Sequence, residues 1–130
     1  MSWNYNYGAF SKVLVESTFD SEMYLLENPD EITTDSFRVF TAAFWFYMTP
    51  QTPKPSMHDV ASGNFMPTSV DVNAGIQNGF GVTTNILNGA QECGTFGTEN
   101  SKSQYRIDTY VKLLEYFNLP TEPADTMTCG

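Results

Sequence analysis

Over positions 37–48 the chain reads FRVFTAAFWFYM, and Phe37, Phe40, Phe44 and Met48 recur at three- and four-residue steps, the spacing of one helix face. Trp45, Phe46 and Tyr47 fill the other sides, which predicts a helix wrapped by other elements. Asp35 or Thr34 stands where an N-cap would accept from backbone N–H groups that lack an intrahelical partner. Pro50, Pro53 and Pro55 end the run, since each lacks an N–H and fixes φ. The expected unit is a buried helix feeding a stiff polar loop.

The flanking patterns are shorter. Positions 2–7, SWNYNY, alternate aromatic with small polar residues, too short for a sheet alone and too polar for a core. They read either as an edge strand or loop, or as a sugar-contacting surface in which rings cover apolar faces and Ser2, Asn4 and Asn6 meet hydroxyl and acetamido groups. Phe10, Val13, Leu14 and Ser17 predict a short amphipathic helix over 9–17. Asn28-Pro29-Asp30 is turn chemistry. Glycines and prolines break 57–81, leaving at most a short helix after Pro67. Val82, Ile86, Gly89 or Ala90, and Cys93 share one face of a helix of three turns. A Gly/Thr loop over 94–100 follows, then a helix that Ser101 can cap, with a stripe at Ile107, Tyr110, Val111, Leu114 and Phe117. Asn118 and Pro120 stop it, and the remaining tail reads as loop. The fold class that results is mainly α, a single domain over 1–130 with long loops.

Charge narrows the function. Six basic against 15 acidic residues give a formal net charge of −9, which repels phosphate backbones and argues against nucleic acid. No apolar run approaches the roughly 20 residues that span a bilayer. The first residues have neither a basic region nor an apolar one, so no signal peptide is visible. With His58 the sole histidine and Cys93 and Cys129 the two cysteines, a Cys/His metal site is not expected. The cysteines read either as one disulfide tying the tail to the body, which implies an oxidising compartment, or as two unpaired buried thiols.

Four blocks, SWNYNYG (2–8), FWFYMTPQTPKPSMHDV (44–60), GFGVTTNILNGAQECG (79–94) and RIDTYVKLLEYFNL (106–119), together resemble the plant-type chitinases of glycoside hydrolase family 19. The resemblance implies a mostly helical, lysozyme-like domain of two lobes around a chitin cleft, of which this chain carries the C-terminal half or a little more. It implies hydrolysis of β-1,4-linked N-acetylglucosamine with inversion, chitin or chitooligosaccharide as ligand, no cofactor, and an extracellular or secretory location. Carried over position by position, Ser2 matches the serine that helps hold the attacking water, and Tyr5 and Asn6 match residues beside the scissile bond. Gln51 and Lys54 match residues reaching the non-reducing end of the substrate, and Asn88 matches the asparagine that bonds the reacting sugar. Glu92 and Arg106 match a carboxylate–guanidinium pair that supports the catalytic acid, where an arginine can tune a neighbouring pKa. Cys93 and Cys129 fall on positions that bridge in the family.

The family's acid, the Glu of a His-Glu-Thr motif, and its second Glu match nothing here. An inverting glycosidase needs two carboxyls about 6.5–9.5 Å apart, one to protonate the leaving oxygen and one to activate water. Hydrolysis by these residues alone is therefore not expected. Loss of the lobe that carries the pair would leave apolar surface behind, so marginal stability or self-association is expected. Three readings stay open: part of a chitinase whose frame begins upstream of Met1, a short non-catalytic descendant that binds chitin oligomers or acts as an interaction protein, and a remnant with no ligand. A His-Glu-Thr motif in the upstream reading frame would separate the first from the others.

Overall fold

The structure, a computed structural model, describes residues 3–14, 23–94 and 100–129. It divides into two compact units, Met1–Thr49 and Pro50–Gly130. The described elements are helical, with no strand among the described residues.

In the first unit, α1 (Asn4–Leu14) and α2 (Tyr24–Glu27) are followed by a 3-10 turn (Pro29–Thr33) and α3 (Ser36–Met48). Phe10, Leu14, Leu25, Ile32 and Ala42 form its core, with Tyr7, Tyr24 and Trp45 packed on the edge. The buried Ser11 hydroxyl accepts from the Leu25 N–H at 3.2 Å, so a polar core atom ties α2 to α1. Pro29 opens the 3-10 turn at a position where its missing N–H leaves no gap. Asp35 caps α3 as the sequence suggests, accepting from the Arg38 N–H at 2.9 Å. The Arg38 guanidinium reaches back to Glu31 and Thr34, which fastens the turn to the helix.

Three expectations fail in this unit. Positions 4–7 are helix, neither strand nor loop, because Asn6, Phe10 and Leu14 repeat at four-residue steps and bury together. Val13, placed on the buried stripe by the sequence reading, is exposed, and positions 15–17 lie outside the described residues. The α3 helix is not wrapped: only Ala42 is buried, while Phe37, Phe40 and Phe44 are 62, 63 and 67 % exposed. The helix meets its unit through Ala42 and through Trp45, whose ring stands 5.4 Å from that of Phe10, and its most apolar face points away.

The second unit holds α4 (Met57–Ala61), α5 (Ser69–Asn73), α6 (Phe80–Glu92), α7 (Asn100–Tyr116) and α8 (Ala124–Met127). Val60 from α4 and Val82 and Ile86 from α6 make the core, flanked by Met57, Phe65 and Ile76. Helix α6 packs against α4, α7 and α8 and is the element the others share. Helix α5 is the short helix expected after Pro67, started by a reciprocal Thr68–Asp71 capping box. Helix α4 was not anticipated. Its signal was Ser56, which caps it by accepting from the Asp59 N–H at 2.9 Å. The tail is not all loop either, since α8 forms within it.

Helix α7 begins at Asn100, one residue before the expected cap at Ser101; positions 95–99 of the expected loop lie outside the described residues. Its stripe holds at Leu114, which is buried, and at half-buried Ile107, Tyr110 and Val111, but Phe117 lies beyond the helix end and is exposed. Asn118 takes φ 54°, a left-handed stop that Asn tolerates.

The tail is strapped to the start of α6. One Glu122 oxygen accepts from the Phe80 N–H at 2.9 Å and the Thr126 hydroxyl at 3.1 Å, and the other accepts from the Tyr110 hydroxyl. Glu122 thus caps a helix 42 positions earlier, in place of the side-chain cap that Gly79 cannot offer. Phe80 and Tyr110 stack with centroids 4.2 Å apart. A Cβ on Gly81 would overlap the backbone carbonyl of Thr128, so only glycine admits the tail there. The Cys93–Cys129 disulfide, with Cα atoms 5.1 Å apart, closes the other end of the strap.

Two outcomes test the strap. Gly81→Ala is expected to lower unfolding stability by about 1–3 kcal/mol in urea melts, because backbone must move to admit the methyl. Burial, and then the Glu122 hydrogen bond, push the Tyr110 phenol up to about 12. In ultraviolet titration the Tyr110 phenol should therefore ionise late, and Glu122→Gln should move it back toward the usual range.

Candidate functional site

Within α6 the backbone leaves helical geometry at Asn88, with φ −154° and ψ 36°, and resumes at Gly89. This irregular turn carries the asparagine that the sequence singled out. Its amide nitrogen donates to Glu92 Oε1 at 2.9 Å and to Gln91 Oε1 at 3.3 Å. A carboxylate only accepts, so the amide nitrogen must face Glu92, and this fixes where the amide oxygen points.

Glu92, one turn on, is 2 % exposed. Arg106 of α7 meets it as a fork: Nε donates to Oε2 at 2.7 Å and Nη2 to Oε1 at 3.0 Å. The Arg106 hydrogen bond is the largest influence on Glu92 and holds its carboxyl below the ordinary glutamate range; burial opposes it, and the Asn88 donor adds to it. The same contact raises the Arg106 pKa. A carboxylate with three donors and a lowered pKa is a fixed anion, unsuited to protonating a leaving group. Chemically, Glu92 orients Asn88 and neutralises Arg106.

Lys54 belongs to the proline loop. Its N–H closes a turn onto the Gln51 carbonyl at 2.8 Å, and its Nζ donates to the Asn85 carbonyl of α6 at 2.6 Å. Burial lowers the Lys54 pKa from the ordinary lysine value. The Gln51 side chain is half-buried at the start of this loop.

The structure therefore brings Asn88, Glu92 and Arg106 into one hydrogen-bonded set and lays Lys54 on the same helix, at the Asn85 carbonyl. Tyr5 and Asn6 lie on α1 of the other unit, Tyr5 exposed and Asn6 buried. Ser2 lies outside the described residues. Among the described residues no cluster of His, Cys, Asp or Glu gathers to hold a metal ion, and no helix is long and apolar enough to cross a membrane.

The sequence reading missed two features. One is an open, mainly apolar groove of about 590 Å³ along α7, walled by Tyr105, Tyr110, Leu113 and Phe80, with Lys102 and Arg106 on its border. The other is Glu122. The paired glycines of Gly79-Phe80-Gly81 signalled a backbone approaching closely, but were read only as breaks in the chain.

A family model described as "Chitinase class I", for glycoside hydrolase family 19, matches residues 1–129. The chain is 51 % identical over 117 residues to an "Inactive chitinase-like protein 1" of Hevea brasiliensis, covering 90 % of this chain and 34 % of that protein. It is 44 % identical over 130 residues to "Endochitinase 1" of Solanum tuberosum, covering 100 % of this chain and 37 % of the relative. To "Endochitinase A2" of Pisum sativum it is 43 % identical over 119 residues, covering 92 % and 34 %. The chain thus spans roughly a third of the length of these curated relatives.

The ion pair gives a signed pH dependence. Because the folded Glu92 pKa is lowered, its stabilisation is complete above the ordinary glutamate value and is lost as pH falls through the folded value. Arg106→Ala should cost about 2 kcal/mol, less than for a wholly buried pair because water reaches the arginine side chain. In acid titration of unfolding stability, the gap between wild type and this variant is expected to narrow as Glu92 is protonated. An unchanged gap down to complete protonation would contradict this account of the pair.

Proposed function

Because the chain belongs to glycoside hydrolase family 19, the class I chitinases, we propose that these residues form part of a chitin cleft and bind chitooligosaccharides without hydrolysing them. The carrying observation is Asn88: the buried Glu92 carboxylate, forked by Arg106, holds its amide in one orientation on an irregular helical turn. Such an amide presents a defined acceptor to a hydroxyl or acetamido N–H, and the preset geometry lowers the ordering cost of binding. In this reading Glu92 and Arg106 support the site, and Gln51 and Lys54 belong to the loop beside it.

Absence of hydrolysis follows from the same resemblance. The one carboxylate it assigns to the site is Glu92, which its donors hold ionised. General acid and base catalysis each contribute about 10² to 10⁴ in rate, and neither has a matched residue here. A second reading, an inverting endochitinase, applies if the chain is joined to the lobe that carries the acid–base pair. The relatives include proteins named as endochitinases and one named as inactive. The disulfide supports an extracellular or secretory location.

The exposed stripe of Phe37, Phe40 and Phe44 on α3 supports self-association of the isolated chain. Calorimetry should detect chitooligosaccharide binding with a Kd at or below about 1 mM, lost in Asn88→Ala, with no reducing sugar released on long incubation. No binding heat at millimolar oligomer would defeat the binding reading, and release of inverted sugar would defeat the non-catalytic one. Sedimentation velocity should show concentration-dependent association that Phe40→Glu with Phe44→Glu abolishes. A monomer at all concentrations would remove that part of the proposal.

A further inference from the structure

The resemblance assigns Lys54 a place along the substrate, but its ammonium is directed inward. We propose that Lys54 is a positioning residue: anchored on the Asn85 carbonyl, it holds the irregular turn of α6 and so sets Asn88, acting on a bound sugar through that asparagine. The inference deepens the chitooligosaccharide-binding reading and rests on it for the role of Asn88 alone.

Four observations converge. The Nζ–carbonyl separation is 2.6 Å, a short charge-assisted bond, and the side chain is half-buried. A residue that leaves helical φ/ψ swings the peptide plane that follows it, so carbonyls of the preceding turn call for donors from outside the helix. Asn88 is such a residue, and the carbonyl three positions before it is the one that Lys54 engages.

The turn is also shaped for this. A Cβ on Gly89 would come within 2.6 Å of Asn85 Oδ1, so the Asn85 side chain folds against the one residue that leaves it room. Finally, Lys54 is held at both ends of its loop. Its N–H closes onto the Gln51 carbonyl, and Ser56 caps α4, whose Val60 packs against Val82 and Ile86 of α6. A lysine fixed in this way is placed to brace a backbone. The line of contact runs from Lys54 to Asn85, around the turn to Asn88, and on to Glu92 and Arg106.

The test uses the whole 130-residue chain, isotope-labelled, with Lys54→Met and Lys54→Arg. Methionine keeps an unbranched stem without the charge, whereas arginine keeps a cation able to donate to the same carbonyl. In Lys54→Met the Asn88 side-chain amide and Gly89 backbone amide resonances should shift, and affinity for N-acetylglucosamine oligomers should fall at least tenfold. The methyl signals of Val60, Val82 and Ile86 should stay in place, and Lys54→Arg should restore the Asn88 signals and most of the affinity. Asn88 and Gly89 signals unmoved in Lys54→Met would overturn the proposal, whether or not affinity is lost. If the wild type binds no oligomer, the functional reading fails, and the resonance shifts still decide the positioning role. Should Lys54→Met not fold, the wild-type Lys54 ammonium decides: a signal protected from solvent exchange supports the anchor, and a freely exchanging one refutes it.

Discussion

The second unit depends on how the Glu92 carboxylate is kept out of water. Burying an ion costs several kcal/mol even after relaxation, and the attraction of a partner offsets this only when its remaining lone pairs are satisfied. Here Arg106 supplies a two-pronged contact and Asn88 a third donor, so the ion is matched on each oxygen. Apolar residues of similar volume would often be at least as stable. What the ionic arrangement adds is direction: it sets α6 against α7 and turns one amide to a single orientation. Two further ties bear on the same helix, Glu122 at its first residue and the Cys93–Cys129 bridge immediately after its last. A helix fixed at both ends can hold a non-helical residue in its body without losing its place.

Much of this was legible in the residues, and the misses have physical causes. Helix α6 could be read from Val82 and Ile86, α7 from its stripe, the cap of α3 from Asp35, and the end of α7 from Asn118, because each is a local pattern with a local cause. The irregularity at Asn88 was masked: Asn88-Gly89 is a turn dipeptide, but Val82, Ile86 and Ala90 carry the helix period across it. Contacts between residues far apart were also invisible: Lys54 with Asn85, and Glu122 with Phe80, depend on tertiary approach. The period-two appearance of 2–7 misled because the aromatic alternation masked a four-residue repeat from Asn6 to Leu14. Among the site residues, the family resemblance named Glu92 and Arg106, and the structure supplied what resemblance lacks, namely which atoms meet.

The clearest conflict between pattern and structure is α3. Its composition calls for burial on all sides, yet its unit covers one face and leaves Phe37, Phe40 and Phe44 in solvent. Apolar surface of that kind lowers the stability of an isolated chain and favours contact with another apolar surface. The second unit also leaves apolar side chains in solvent, Tyr105, Tyr116 and Phe117 among them, but its helices enclose a small core and are tied by the polar contacts of Glu92 and Glu122.

In the proposed site, the ordered Asn88 amide is where sugar is met. The most direct test is an isotope-filtered NMR experiment on the labelled chain with an unlabelled N-acetylglucosamine oligomer, read for contacts from the ligand's acetamido methyl protons. Cross-peaks are expected to the Asn88 side-chain amide and to the neighbouring turn of α6. Cross-peaks confined to Tyr105 and Leu113 in the α7 groove, with none to Asn88, would contradict this placement.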